Sequence, residues 1–361
     1  MAGYLSFTFL LACLLQTGQS AYTTVRPAVL GLTLERSPDA RTFRVVRRAR
    51  GKVEVLASGE RAACEALMVE LLEKKHGTGN LNVPFMTLGG RQGWADEKIL
   101  AGWRIQANVI TGHHRLLDPR DRRRAWGSWQ GCCVVLEKQR LRLGLAPASD
   151  KLVLLLHGLG RSRHSWARMK ATLAAHGHEV FDVGYPSTRR SIDEHTAQVS
   201  RLLDRAEGAR EVSFVTHSLG GIVVRQLLAK KRPWQQRIRA KRVVMLGPPN
   251  RGSVIAKKVR RSSAVRLVLG ASISQLTAAQ VAKIPAPPIP FAVIAGGKGD
   301  GSGYNPLLDG DDDGVVTVAN TKLDGMADFR LLRCLHTSLM NHDRALALVR
   351  DFLEKGSFGT R

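Results

Sequence analysis

Thr216-His217-Ser218-Leu219-Gly220-Gly221 joins a run rich in Val and Phe, Glu211 to Thr216, to the apolar helical run Ile222 to Leu228. A serine between a buried strand and a helix, with small residues two positions away on either side, is the arrangement of a nucleophile elbow, a sharp turn that lifts the hydroxyl clear of the sheet. Gly220 meets the size requirement; the β-branched Thr216 departs from it. The helix after such a turn aims its first N–H groups, that of Leu219 among them, at the place where an oxyanion would develop.

Outward from this turn the pattern alternates. Strands are predicted at Leu152 to Leu156, Glu179 to Asp182, Glu211 to Thr216, Arg242 to Leu246, Pro290 to Ala295, Val315 to Val318 and Phe329 to Leu332. Helical periodicity occupies Ser165 to His176, Ser191 to Ala206, the run from Gly220, and Asp343 to Leu353; Ser191 with Glu194 three residues on makes a capping box. Strands alternating with helices imply α/β architecture, a mostly parallel sheet with helices on both faces.

Three further stretches suit a serine nucleophile. His157-Gly158-Leu159-Gly160 follows the first of these strands, where a glycine-bearing loop lets a backbone N–H, that of Leu159, approach a substrate oxygen. Asp309-Gly310-Asp311-Asp312-Asp313-Gly314 offers the carboxylate that a histidine base needs for its tautomer and its cation, and Asp313 is the candidate. The same run also suits a solvated loop or a calcium-binding loop. His336 lies just after the last strand, where the base is delivered; His342 reads instead as a helix N-terminal position. His217 and His113-His114 read as structural, and no histidine has a second ligand at helical spacing to make a metal site.

The order Ser218, Asp313, His336, with the His-Gly loop upstream, resembles the α/β-hydrolase fold from Lys151 to about Lys355. Leu156 to Gly160, Tyr185-Pro186-Ser187, Thr216 to Gly221, Leu246 to Ser253 and Asp313 to Val316 together resemble bacterial lipase-like serine esterases. The resemblance implies carboxylic ester hydrolysis without a cofactor, catalytic roles for Ser218, Asp313 and His336, and an oxyanion hole at Leu159 and Leu219. Thioesterases, amidases and acyltransferases use the same fold, so an ester or lipid substrate is the leading expectation and these are its alternatives. A different class of reading is a silent scaffold whose basic first half binds an anionic surface.

Composition bounds the rest. The chain has 361 residues, 44% of them hydrophobic and 24% charged, which excludes a disordered, collagenous or polytopic membrane chain. Five cysteines without a C-x-x-C pair exclude a disulfide scaffold and a thiolate zinc site. The net charge of +25 draws the chain toward anionic polymers or a membrane or envelope surface. Its basic clusters, Arg120 to Arg124 and Lys257 to Arg261, lack the interleaved aromatics of single-strand binders, so no specific nucleic acid is expected.

Tyr4 to Leu15 is apolar, too short to span a bilayer, and followed by small polar residues, so residues 1–21 read as a signal peptide and imply export. Residues 22–147 read as an α+β region of unknown role, with a hairpin about Ala49-Arg50-Gly51 and an amphipathic helix at Glu60 to Lys75. Gly59 precedes Cys64 by the interval at which Gly127 precedes Cys132, a faint hint of an internal repeat. The Pro/Ser segment Ala146 to Asp150 marks the expected boundary with a catalytic domain over 148–361. Within that domain, Val254 to Pro287 is a candidate cap over an acyl pocket.

Overall fold

Apolar runs in the C-terminal half form strands that are buried throughout at residues 152–156, 212–217, 243–246 and 291–297, whereas the last strand, residues 328–333, buries only Leu332. The computed structural model describes residues 22–25, 28–49, 51–254 and 271–359. The signal-peptide reading of residues 1–21, the Lys257 to Arg261 cluster and residues 255–270 of the candidate cap segment lie outside these.

Two compact units are present, one ending at Met68 and the other beginning at Val69. In the first, strands β1 (Thr23–Thr24), β2 (Leu32–Arg36), β3 (Phe43–Ala49) and β4 (Lys52–Gly59) form an antiparallel sheet in chain order, and helix α1 (Arg61–His76) begins. Leu34, Val45, Val46, Cys64 and Met68 are buried there. In the second unit, β5 (Trp94–Leu100), β6 (Trp103–Asn108), β7 (His114–Leu117) and β8 (Arg123–Gly127) again form an antiparallel sheet in chain order, followed by α2 (Trp129–Leu143). The same succession of four strands and a helix therefore occurs twice. Gly59 and Gly127 end the fourth strand at positive φ, and Cys64 and Cys132 sit buried one turn into the following helix. Burial raises the Cys132 thiol to about 12, so it behaves as a small apolar side chain.

The large sheet contains β9 (Lys151–Leu156), β10 (Glu179–Val183), β11 (Glu211–His217), β12 (Arg239–Leu246), β13 (Phe291–Gly297) and β14 (Asp328–Arg333). Their order is β10-β9-β11-β12-β13-β14, and every neighbouring pair is parallel. Alternate residues face opposite ways, as the strand period requires. Leu152, Leu154, Phe214 and Val243 join one core with α4 (Ile192–Asp204) and α5 (Leu219–Leu228). Val153, Leu155, Val215 and Val244 join the other with α3 (Ala167–Ala175) and the terminal helix. Among the described residues, three single-turn helices, α6 (Ala271–Ser274), α7 (Ala278–Val281) and α8 (Val318–Thr321), come between α5 and that terminal helix (Asp343–Lys355), which is α9. The capping box forms at the start of α4: Ser191 Oγ accepts the Glu194 N–H and the Glu194 side chain accepts the Ser191 N–H. Among the described residues, no helix is long and apolar enough to cross a membrane.

One predicted strand is absent. Residues 315–318 do not join the sheet, because the Asp313 carboxylate takes the N–H groups of Val315 and Val316 and turns the chain into bends. Local side-chain acceptors here override the β propensity of three valines and a threonine.

The antiparallel sheet of β5–β8 packs onto β10, the edge strand of the large sheet. Asp96 N donates to Gly184 O at 2.9 Å and Gly184 N donates back to Asp96 Oδ2 at 2.7 Å. Arg104, almost wholly buried, bridges Asp96 and Asp182. Burial alone would raise the Asp182 carboxyl, but Arg104, Lys170 and Arg163 outweigh it and hold the group far below the usual carboxylate range. A second buried cluster joins Lys98 of β5 and Arg140 of α2 to Glu207, whose carboxyl these cations bring down to about 2 against the opposing effect of burial. The Ala146 to Asp150 segment thus falls inside the second unit.

Candidate active site

The strand order reverses direction between β9 and β11: the chain leaves β9 toward β10 on one side and continues from β11 on the other. Loops at the carboxyl ends of strands on either side of such a switch point part to leave a crevice, the usual ligand position in an open α/β sheet. The loops there are His157 to Gly160 after β9 and Ser218 after β11; the register pairs Leu156 with Thr216.

Ser218 has φ 53° and ψ −120°, a conformation that costs a non-glycine residue on the order of 1–3 kcal/mol and persists only where the surroundings enforce it. Two anchors enforce it: Ser218 N donates to Leu246 O at 2.9 Å, and Gly221 N donates to Ser218 O at 3.0 Å. Gly220 is required by proximity, since a Cβ there would stand 2.4 Å from Leu156 O. Thr216 is fully buried, and its Oγ1 lies 3.4 Å from Val244 O on the neighbouring strand.

His336 and Asp313 are brought together. His336 Nδ1 lies 2.6 Å from Asp313 Oδ2, while Asp313 Oδ1 accepts the N–H groups of Val315 at 3.0 Å and Val316 at 2.8 Å. A carboxylate can only accept, so Nδ1 carries the proton of that bond and Nε2 is left as the basic nitrogen of the neutral ring. Gly247, at φ 54°, lies against the pair: a Cβ there would be 3.0 Å from His336 Nδ1 and 3.1 Å from Asp313 Oδ2. Ser218 and His336 are not hydrogen-bonded to each other in this structure. Such bonds often tighten only when substrate is bound.

His217 links the two. Its Nε2 lies 2.9 Å from His336 O, so it donates to that carbonyl, and its ring centroid is 4.5 Å from that of His336. Burial, and then the neighbouring His336, keep the His217 pKa well below the ordinary histidine value. His217 is therefore neutral, with its Nε2–H held by the His336 carbonyl. His342 caps α9, its Nδ1 accepting the Arg344 N–H.

The His157 to Gly160 loop is equally defined. A Cβ placed on Gly158 would be 3.0 Å from Ser218 Cβ, which sets the loop directly over the serine. Among the described residues, neither the Leu159 N–H nor the Leu219 N–H meets an acceptor. Tyr185 stacks on His157 and donates its hydroxyl to His157 O. Burial lowers the His157 pKa to about 4, and burial with the adjacent His157 lowers that of His195 to about 4.

In the acidic run, Asp311 accepts Lys298 N and Gly299 N, Asp312 accepts Asn305 N and Gly314 N, and Asp313 turns to His336. The carboxylates diverge, and no group of three metal-type side chains converges among the described residues.

Sheet order, serine turn and the His336–Asp313 pair on the loops after β14 and β13 define an α/β-hydrolase fold with an α+β region before it. Residues 127–293 match a family described only as a domain of unknown function, DUF7379. No curated protein matches the sequence. Among solved structures, the mature lipase BlEst2 of Bacillus licheniformis is similar at 19% identity and a TM-score of 0.45, over 59% of this chain and 94% of that one. A metagenomic carboxyl esterase is similar at 16% identity and a TM-score of 0.41, over 54% of this chain and 67% of the other. Phospholipase PlaB of Legionella pneumophila is similar at 17% identity and a TM-score of 0.39, over 58% of this chain and 57% of that one.

Proposed function

We propose that this protein is a serine hydrolase of carboxylic esters that works through an acyl-enzyme. The observation that carries the reading is the His336 Nδ1 to Asp313 Oδ2 bond of 2.6 Å beside a serine held at positive φ. It fixes the tautomer in which Nε2 is free to take a proton from Ser218. Ser218 Oγ attacks the ester carbonyl as His336 Nε2 receives the hydroxyl proton, and Asp313 stabilises the imidazolium that results. The N–H groups of Leu159 and Leu219 receive the oxyanion. Collapse of the tetrahedral intermediate releases the alcohol, protonated by His336; water then attacks the acyl-enzyme by the reverse arrangement and frees the acid.

The strained backbone at Ser218, held by Leu246 O and Gly221 N, favours a working serine over a silent scaffold. The test is covalent labelling with a fluorophosphonate together with turnover of p-nitrophenyl esters of increasing acyl length. Wild-type protein is expected to label and turn over, and Ser218→Ala to do neither while keeping its thermal transition. Labelling that persists in Ser218→Ala would overturn the assignment. Parallel thioester and amide substrates rank the other acyl transfers available to the fold.

A further inference from the structure

Leu159 is framed by side-chain hydrogen bonds on both sides. Before it, Tyr185 Oη donates to His157 O. After it, Gly160 N donates to the fully buried Ser187 Oγ at 3.0 Å, and Arg161 O accepts from Gln92 Nε2 at 2.7 Å. Tyr185 and Ser187 belong to the loop after β10. Gln92 does not: it comes from the turn Leu88–Gly93 that leads into β5, in the antiparallel sheet ahead of the hydrolase strands.

Both ends of the Gln92 carboxamide are engaged. Nε2 also lies 3.1 Å from Ser187 Oγ, and Oε1 accepts Thr188 N at 2.9 Å and Thr188 Oγ1 at 3.0 Å. Arg161 O can only accept and Thr188 N can only donate, so a single amide orientation satisfies all of these partners. The turn that presents Gln92 is itself strained: Arg91, immediately before it, sits at φ 38° and ψ −126°. A strained turn holding a fully satisfied amide between two loops is a positioning device.

We infer that Gln92 is a positioning residue for the oxyanion hole, locking the Gly158 to Arg161 loop so that the Leu159 N–H stays aimed at the developing oxygen. This rests on the acyl-transfer reading of Ser218 above, and it gives the antiparallel sheet of β5–β8 a part in the reaction. Because the oxyanion exists only in the tetrahedral state, a displaced Leu159 N–H weakens binding of that state and leaves ground-state binding nearly intact.

The experiment uses the full chain and two variants. Gln92→Met keeps the length of the side chain and removes every hydrogen bond; Gln92→Glu keeps the acceptor for Thr188 and removes the donor to Arg161 O. Measured are kcat and KM on a short-chain p-nitrophenyl ester, and the Ki of a trifluoromethyl ketone that becomes a tetrahedral adduct on serine. For Gln92→Met, kcat is expected to fall by about 10- to 100-fold with KM within about twofold, and the ketone Ki to rise by the same factor as kcat falls. Gln92→Glu is expected to show the same split. A loss that appears in KM alone, or a ketone Ki unchanged in both folded variants, overturns the inference. Ser218→Ala, run alongside, separates the two readings: ester turnover and labelling that persist in it remove the acyl-transfer reading and this inference together, whereas wild-type behaviour in both Gln92 variants removes this inference alone.

Discussion

His336 is tied to Asp313 twice, side chain to side chain at 2.6 Å and through His336 N to Asp313 O at 2.8 Å. The main-chain bond holds the two loops together whatever the carboxylate does, so the side-chain bond can be tested separately. Asp313→Asn is expected to leave the thermal midpoint within a few degrees and to lower kcat by about 10⁴, because an amide donor at this position selects the wrong histidine tautomer. Steady-state turnover and calorimetry on the same preparation check both halves.

Relief of strain at Ser218 makes a prediction of opposite sign for stability. Ser218→Gly removes the hydroxyl and the Cβ that oppose φ 53°, so activity is lost while unfolding stability rises by about 1 kcal/mol. Denaturant midpoints compared with Ser218→Ala, which keeps the Cβ, check this; a Gly variant no more stable than the Ala variant contradicts it.

At Gly247 the expectation is a disabled but folded protein. Added methyl carbon would stand about 3 Å from both members of the His336–Asp313 pair, at a φ that disfavours any L side chain. Gly247→Ala is expected to reduce kcat by at least about 10²-fold, by analogy with the loss of a positioned catalytic group. Its signature is a downfield imidazole proton resonance of the wild type that shifts or vanishes in the variant.

Acid stability follows from the buried histidines. His157 and His195, each brought to about 4, and His217, well below 6.5, are neutral in the folded chain. The unfolded chain takes up these protons as pH falls below about 6.5, so stability is complete above that value and declines toward pH 4. Glu207 acts in the next window. Its carboxyl, at about 2 when folded, contributes stability above about 4.5 that is lost as pH falls toward 2. Thermal midpoints from pH 8 to pH 3 should therefore fall in two stages, the first absent if the histidines were charged in the native state.

Removing Arg104 takes from Asp96 its bridging cation and leaves Asp182 to Arg163 and Lys170. Arg104→Met is expected to cost about 3 kcal/mol, mainly through the buried, uncompensated Asp96 carboxylate. Asp96→Asn in that background should restore part of the loss, which a double-mutant cycle measures.

The serine turn, the loop at Leu159 and the alternation of strands and helices are legible in the sequence because each depends on local chemistry: apolar runs, glycines and a capping box. The acidic run shows what local reading misses. Val315 to Val318 has the composition of a strand, yet the Asp313 carboxylate captures two of its N–H groups and the segment bends. Gln92 is invisible for another reason. Its partners Arg161 and Thr188 lie 69 and 96 residues away, and no spacing rule connects an isolated glutamine to them. The hydrogen bond from His217 to the His336 carbonyl likewise appears only in three dimensions.

The docking of Asp96 against Gly184 has a consequence for dissection of the chain. A strand at the rim of a sheet presents unpaired peptide groups that invite intermolecular pairing. Here β10 is that rim, and the antiparallel sheet screens its carboxyl end through the Asp96 N–H on Gly184 O, the Asp96 carboxylate on Gly184 N, and Arg104 on Asp182. A fragment starting near Ala146 would carry the whole serine, histidine and aspartate apparatus and still be a poor protein. Its open rim would face solvent, and it should precipitate where the longer chain stays dispersed.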